Sequence, residues 1–595
     1  MKDMYAPRNE PGQSGAASRD NGNEEPRILK TRLFCTLTAC TIAGAAAALP
    51  IEDRLAEQRA AYDAEVAKNI IDLQLYRHTQ TAVLPDGETR VELISLNPNI
   101  NSWFLLGVGP EGRRSYYHLE NPEPDDTAIT LETTADGPEI LITDGRRTLS
   151  CKPWEGEPSM LAKAQGANLP FSPICNSRIY MRVPTRGNYT SLEATSQFLR
   201  DHIWGGDAIV DFVKATLNKD KYALDSELGA SGEVKIAAGP PPAKVRFSDD
   251  QRPLVAAYHE FDLVGADGGM ATGIWYPVDG QPGVFVSALQ PRSVSEEVMS
   301  VPGANWLDGV EAGAVGYFVA FQMERFDLSY SRGTDHPRLD WSPRPPQYVR
   351  PRGMPGPDGF TSDDPLVSLG MASTYDSNRV VAAFTGGYKR QHAAFRGGPL
   401  RDVNYGTHYG FLEHGVIFSK LWPGLSTIYV GQDGTIGMKT WEDADYEMMP
   451  NLRFARQNGT PLVVDGKPGP YVTQWLPGNW SGSAEADLRT LRAGACMIED
   501  RGSQYLVYGY FSTATPSAMT RAFMSYGCDY AMLLDMNALE HTYLGLYSFD
   551  ANGKIEVDHI VRGMSQSDKR GSAGVIPRFI GFPDNRDVFY LMRKE

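Results

Sequence analysis

The chain reads as an exported α/β (α+β) protein rich in short strands, and three observations predict this. Gly (59) and Pro (41) are both above average, which favours frequent turns over long helical bundles. Short apolar runs bounded by turn residues recur from about residue 85 to the C-terminus, whereas helical spacing is confined to a few segments. An uncharged apolar run near the N-terminus carries basic residues before it and acidic residues after it. At 595 residues the chain is too long for one hydrophobic core, so two or three domains are expected.

Charge excludes some partners. The formal net charge is −16, from 73 acidic and 57 basic residues, and Lys and Arg do not cluster beyond pairs such as Arg113–Arg114. A nucleic-acid binder would show a basic face, so nucleic acid is not an expected partner. With 42% hydrophobic residues, the chain has ample material for packed cores.

Residues 1–32 are polar and end in Arg27, Lys30 and Arg32; they read as a disordered cytoplasmic tail. Leu33–Leu49 is free of charge and is followed by Pro50, Glu52 and Asp53. The asymmetry puts the N-terminus inside and the chain beyond residue 50 on the periplasmic or extracellular side, membrane-anchored or secreted. The run is short for a span and long for a signal h-region, so a signal-anchor and a signal cleaved within Ala45–Ala48 both stay open. Leu37-Thr38-Ala39-Cys40 has lipobox spelling, but the apolar run continues past Cys40.

Beyond that run are four cysteines: Cys151, Cys175, Cys496 and Cys528. In an oxidising compartment they allow three pairings. Cys151–Cys175, closing a short Pro/Gly-containing loop, is the expected bridge. Cys496 and Cys528 lie in apolar contexts that suit buried thiols equally well.

Leu55, Tyr62, Val66, Ile70 and Leu73 recur at helical spacing, giving an amphipathic helix in the juxtamembrane segment 51–84. An α+β accessory domain follows at 85–236. It opens with strand candidates VELISL, SWFLLGV, SYYHL, AITLE and EILITD. Gly107-x-Gly109-x-x-Gly112 spells a dinucleotide fingerprint, but Pro110 and a further strand follow it where that motif needs a helix, so it reads as a hairpin. Thr190-Ser191-Leu192-Glu193 is a capping box that opens a helix. Ala237–Ala243 (AAGPPPA) is the linker, and 244–314 reads as a small β-rich unit or as the first layer of the domain that follows.

The domain at 315–595 begins with a strand over Gly316–Leu328 and passes Gly333-Thr334-Asp335-His336-Pro337. A buried strand, Arg379–Phe384, ends at Thr385-Gly386-Gly387-Tyr388; glycines there let backbone amides converge on an anion. A hairpin turns at Gln432-Asp433-Gly434, and Arg456-Gln457-Asn458-Gly459 follows. Arg492–Ile498 is a strand paired through Asp500-Arg501-Gly502 with QYLVYGY. Thr515-Pro516 starts a helix ending at Gly527, and the strand Tyr530–Leu534 delivers Asp535-Met536-Asn537.

This ordered set resembles the phosphodiester glycosidase family, which includes the lysosomal mannose-6-phosphate uncovering enzyme. The resemblance covers about 280 of the 595 residues. It implies a C-terminal domain built on a mixed sheet and cleavage of a sugar from a sugar-1-phosphodiester. Two positions depart from the family pattern: Thr385 stands for its loop Asn, and Met536-Asn537-Ala538-Leu539 for its Gly-Gly-Gly-Ser.

Such chemistry has a weakly basic phosphate leaving group. It needs a carboxylate near the anomeric carbon and donors on the phosphate. Asp535 is the expected carboxylate, Arg492 the phosphate-holding fork and Asn537 the group orienting sugar or water. Thr385, Gly386, Gly387 and Tyr388 form the expected phosphate loop. His336, Glu540 and His541 are expected beside the substrate, with His408 and His414 as further acid/base candidates. HExxH, CxxC, GxSxG and P-loop spacings are absent. No cofactor is expected; a divalent cation, were one used, would sit on Asp535. The expected partners are a phosphate-containing glycan or exopolysaccharide and, through the N-terminal segment, a membrane. The rival expectation is a non-catalytic, membrane-anchored glycan-binding or scaffolding protein that uses the same cleft.

Overall fold

Alternating and fully apolar strands bury their faces against one another, and layered sheets result. The computed structural model describes residues 70–191, 220–224, 245–248, 254–335 (save 256, 267 and 268), 364–388, 410–474 and 489–594 (save 573), plus 60, 193–195 and 198. Residues 51–595 belong to one compact unit. Leu33–Leu49, His336 and His408 lie outside the described residues, as does most of the expected juxtamembrane helix. Of that helix, Ile70–Leu73 is helical, with Ile70 and Leu73 buried. Among the described residues no helix is long and apolar enough to cross a membrane.

The class is α+β and sheet-rich, as expected. Every pairing of named strands is antiparallel, however, so the C-terminal sheet is not mixed. An eight-stranded sheet runs in the order Trp275–Pro277, Val284–Leu289, Gly316–Gln322, Ser503–Ala514, Thr490–Asp500, Tyr530–Met536, Pro461–Val464, Lys467–Pro468. The 244–314 segment thus shares a sheet with the domain that follows it.

A five-stranded sheet (Phe326–Ser331, Val588–Arg593, Val380–Thr385, Leu544–Phe549, Ile555–His559) packs on one face of the eight-stranded sheet. Tyr508, Tyr510 and Leu534 meet Phe384, Leu544 and Phe589 in the core between them. The opposite face is covered by the helix Pro516–Ser525, capped by Thr515 and buried along its whole length. The expected single strand over Gly316–Leu328 is two strands in different sheets. The turn at 323–325 carries the chain from one layer to the other.

In the accessory region all five strand candidates form, and Gly107 and Gly109 end a hairpin strand. Its six-stranded sheet packs one face on a three-stranded sheet. The other face packs on the sheet containing Phe411–Glu413 and Leu452–Gln457. Cys151–Cys175 is bridged with Cα atoms 5.7 Å apart. Cys496–Cys528 is bridged as well, at 5.9 Å, where buried thiols had equal standing. Two disulfides fit an exported protein.

Candidate active site

Asp535 lies in an inner strand of the eight-stranded sheet, and a bulge decides which way it faces. Gly494 is registered with Leu533, yet Arg492 is registered with Met536, so the strand holds one extra residue at Leu534–Asp535. Leu533 and Met536 belong to the core under the helix, and Leu534 to the core between the sheets. Asp535 follows Leu534 toward the five-stranded sheet, where it meets Arg586.

Arg492 is carried to the other side. Its Nε donates to the carbonyl of Ala514 at 2.8 Å, and Nη1 lies 3.4 Å from Met536 Sδ. Burial holds its pKa below the usual guanidinium value, against the opposing influence of Tyr388 and Glu311. The expected Arg492–Asp535 bracket is therefore not formed, because the bulge reverses the alternation between two adjacent strands.

Asn458 holds the bulge. Its Nδ2 donates to the carbonyls of Leu533 (2.7 Å) and Leu534 (2.6 Å), and its Oδ1 accepts the Tyr388 N–H at 3.0 Å. Gly387 has φ +114°, and a Cβ there would stand 2.7 Å from Asn458 Oδ1, so only glycine permits this approach. The amides of Thr385, Gly386 and Tyr388 are spent on Tyr543 O, Asp587 O and Asn458 Oδ1. The Thr385–Tyr388 loop is thus a packing turn rather than the amide nest expected for phosphate.

The cation beside Asp535 comes from Pro583-Asp584-Asn585-Arg586-Asp587, just before the last strand. Arg586 Nη1 donates to Asp535 Oδ2 at 2.5 Å and Nη2 to Glu193 Oε1 at 3.1 Å, while its Nε has no hydrogen-bond partner among the described residues. Asp535 Oδ1 accepts the Met536 N–H at 2.8 Å. Burial works against the Arg586 charge, but Glu193 and then Asp535 raise its pKa above the ordinary value. Neither amide atom of the fully buried Asn585 side chain has a partner among the described residues.

Two further pairs frame the cluster. Arg578 makes a two-pronged contact with Asp584 (2.9 and 3.1 Å), and Arg456 Nε donates to Asp587 Oδ2 at 3.0 Å, where the Tyr330 hydroxyl also donates.

The segment after Gly187 lies across this cluster. Asn188 bridges to Asp584, Tyr189 donates to Asp335, Thr190 Oγ1 lies 3.3 Å from Glu540 Oε1, and Glu193 reaches Arg586. Half of the expected capping box forms: Thr190 Oγ1 accepts the Glu193 N–H at 3.2 Å, while the Glu193 carboxylate pairs with Arg586 instead of closing the box.

Of the remaining expected residues, Asn537 is exposed, has φ +79°, and accepts from Thr490 Oγ1 at 3.1 Å. His541 Nδ1 is 2.8 Å from the Met536 carbonyl, and its own carbonyl accepts from Thr385 Oγ1. His414 is elsewhere, stacked on Trp103, with burial holding its pKa down to about 3. Asp535, Thr385, Glu540 and His541 thus lie in one neighbourhood. Arg492 and Tyr388 share the opposite side of the sheet.

Arg586, Asn585, Asn458 and the liganding role of Glu193 were not foreseen. The signal for the first two was the spelling DNRD directly before the apolar run VFYLM. Among the described residues no group of three or more His, Cys, Asp or Glu is placed to hold a metal ion.

No protein-family model matches the chain, and no curated protein matches it. Among solved structures it is similar to the catalytic domain of zebrafish N-acetylglucosamine-1-phosphodiester alpha-N-acetylglucosaminidase, auto-inhibited by its pro-peptide. That match has 11% identity and a TM-score of 0.28, and covers 62% of this chain and 100% of that one. A hypothetical protein from Synechocystis is similar at 9% identity and a TM-score of 0.25, over 81% of this chain and 98% of that one. Both likenesses are weak.

Proposed function

We propose that the chain is an exported hydrolase that releases a sugar from a phosphodiester-linked glycan, with Asp535 acting at the anomeric carbon and Arg586 holding the phosphate. One observation supports the reading most. Arg586 divides its two Nη groups between Asp535 and a second carboxylate, Glu193, and its Nε has no hydrogen-bond partner among the described residues. A phosphodiester oxygen has the charge and acceptor geometry to replace the Glu193 carboxylate, and Nε supplies an added donor. The sugar's anomeric carbon would then lie beside Asp535, held by the same guanidinium.

The bond broken is that between the anomeric carbon and the phosphate oxygen. Water supplies hydroxide to the sugar and the departing phosphate monoester keeps the bonding electron pair, so little acid assistance is needed. Asp535 serves as nucleophile or as base toward that water.

A second reading has its own support. Both Asp535 oxygens are engaged and the residue is 3% exposed, which suits a non-catalytic glycan-binding protein. Sugar release from synthetic sugar-1-phosphodiesters, set against the matching simple glycosides, separates the two. Release confined to the phosphodiesters is expected. Phosphodiester binding with no release at any enzyme concentration would favour the second reading.

A further inference from the structure

The strands Ser115–Glu120 and Ile179–Arg182 pair only at Leu119–Met181 and Glu120–Tyr180. Past those residues a cavity of about 370 Å³ opens, lined among others by Tyr116, His118, Gln165, Arg182 and Asp364. Small-ligand pockets span roughly 300–1,000 Å³, so its size suits a single small ring. It lies between the accessory region and the segment 364–367, and contains none of the residues assigned above.

Its aromatic wall is held in place. Tyr116 faces Gly107 across the sheet, and a Cβ on that glycine would come within 2.8 Å of the Tyr116 ring. The ring therefore lies over the glycine, and its hydroxyl donates to Glu92 at 2.9 Å. Glu92 is also ion-paired with Arg114. Fixed at both ends, Tyr116 is still 38% exposed, leaving a flat aromatic face for a ligand.

His118 lies two residues on, so it shares that face of the strand. Its Nδ1 accepts the Val367 N–H at 3.0 Å, which places the ring proton on Nε2. That Nε2–H is buried and has no partner among the described residues. Burial first, then Arg182, Arg332 and His414, hold the ring pKa far below the usual value, so it stays a neutral donor. The cation of the lining, Arg182, is committed to Glu120 (2.5 Å) and Glu413 (3.6 Å) and packs 4.3 Å over Trp103. Among the described residues a phosphate would therefore meet no available guanidinium here, and Asp364 would repel it.

We propose that this cavity is a binding subsite for a neutral sugar ring. The C–H face of the ring packs on Tyr116, and its hydroxyls meet the polar ends of Gln165 and Asp364. A wholly apolar ligand would leave those polar ends without hydrogen-bond partners, which costs affinity. Hydroxyls both donate and accept, which suits the mixed set of polar groups. The proposal does not depend on the role of Asp535.

The test is titration of the full chain with a panel of neutral methyl hexopyranosides, with inorganic phosphate and phenol as comparators, read by saturation-transfer NMR and calorimetry. At least one glycoside should bind saturably and shift the Tyr116 ring signals. Tyr116→Leu, which keeps an apolar cover on Gly107 but removes the flat ring, should weaken binding by roughly tenfold or more. Asp364→Asn should weaken it, and Asp535→Asn should leave it intact. Failure of every glycoside to bind would overturn the proposal. So would preference for phosphate or phenol, or binding lost in Asp535→Asn yet kept in Tyr116→Leu.

Discussion

Arg586 and Asp535 form a buried ion pair between two sheets, one partner presented by a bulge and the other by the turn before the last strand. Neither position favours its charge through exposure to solvent; Arg586 is matched by both Asp535 and Glu193. Removing one partner of such a pair leaves a buried charge uncompensated, at ~3–5 kcal/mol. Arg586→Met should therefore lower the unfolding free energy, read by denaturant titration, by an amount in that range, and Arg586→Lys by less. Both should abolish sugar release, because Met has no donor and Lys cannot hold Asp535 and a phosphate in one plane.

Glu193 competes for the same guanidinium. Glu193→Gln keeps the shape of the capping segment and removes the charge. The Michaelis constant for a sugar-1-phosphodiester should fall, with a smaller effect on kcat. An unchanged or raised Michaelis constant would mean that the phosphate does not bind where Glu193 stands.

Asn458 is predicted to set the bulge. Asn458→Ala leaves the carbonyls of Leu533 and Leu534 without their donor, each at ~1–3 kcal/mol if nothing replaces it. Asn458→Asp should be worse, since it turns a carboxylate toward two carbonyl oxygens. Unfolding midpoints and sugar release should fall together in both variants.

Much of the fold could be read from the sequence, because short apolar runs between turns specify strands locally. The Ser426–Gly431 and Ile436–Thr440 hairpin and the helix capped by Thr515 are examples. The site was legible only in part. Asp535 at the end of its strand was visible, but its partner was not. A bulge shifts register by one residue, and no local pattern in Leu534-Asp535-Met536 announces it. The antiparallel arrangement was also hidden, because buried strands have the same apolar composition in either sheet type. The second disulfide escaped for a similar reason: Cys496 and Cys528 are brought together by sheet order, not by spacing.

His559 provides a pH test. Its Nδ1 is 2.5 Å from Glu260 and its Nε2 3.0 Å from Asp568, with the Tyr543 hydroxyl at 3.4 Å. Burial opposes the charge, but Asp568 and then Glu260 raise the pKa above 6.5. A raised folded-state pKa gives stability that is complete below the unfolded value, ~6.5, and is lost as pH rises through the folded value. The melting temperature should therefore fall on the alkaline side of neutrality, and His559→Asn should flatten that limb. A limb unchanged in the variant would assign it to other groups.

The Cys151–Cys175 bridge spans 24 residues, and a loop of that size contributes ~3 kcal/mol in the chain-entropy model. The Cys151→Ser, Cys175→Ser double variant should lose about that much stability while retaining sugar release, since the bridge lies in the accessory region.

The most direct test is Asp535→Asn, assayed for both turnover and binding of a sugar-1-phosphodiester. Asn keeps the volume and can still meet Arg586, but it carries no charge to act at the anomeric carbon. Sugar release should fall by ~10³-fold or more, as expected when an essential charged catalytic group is lost, while phosphodiester binding changes little. Release at the wild-type rate from Asp535→Asn, or no release from the wild-type protein, would contradict the account.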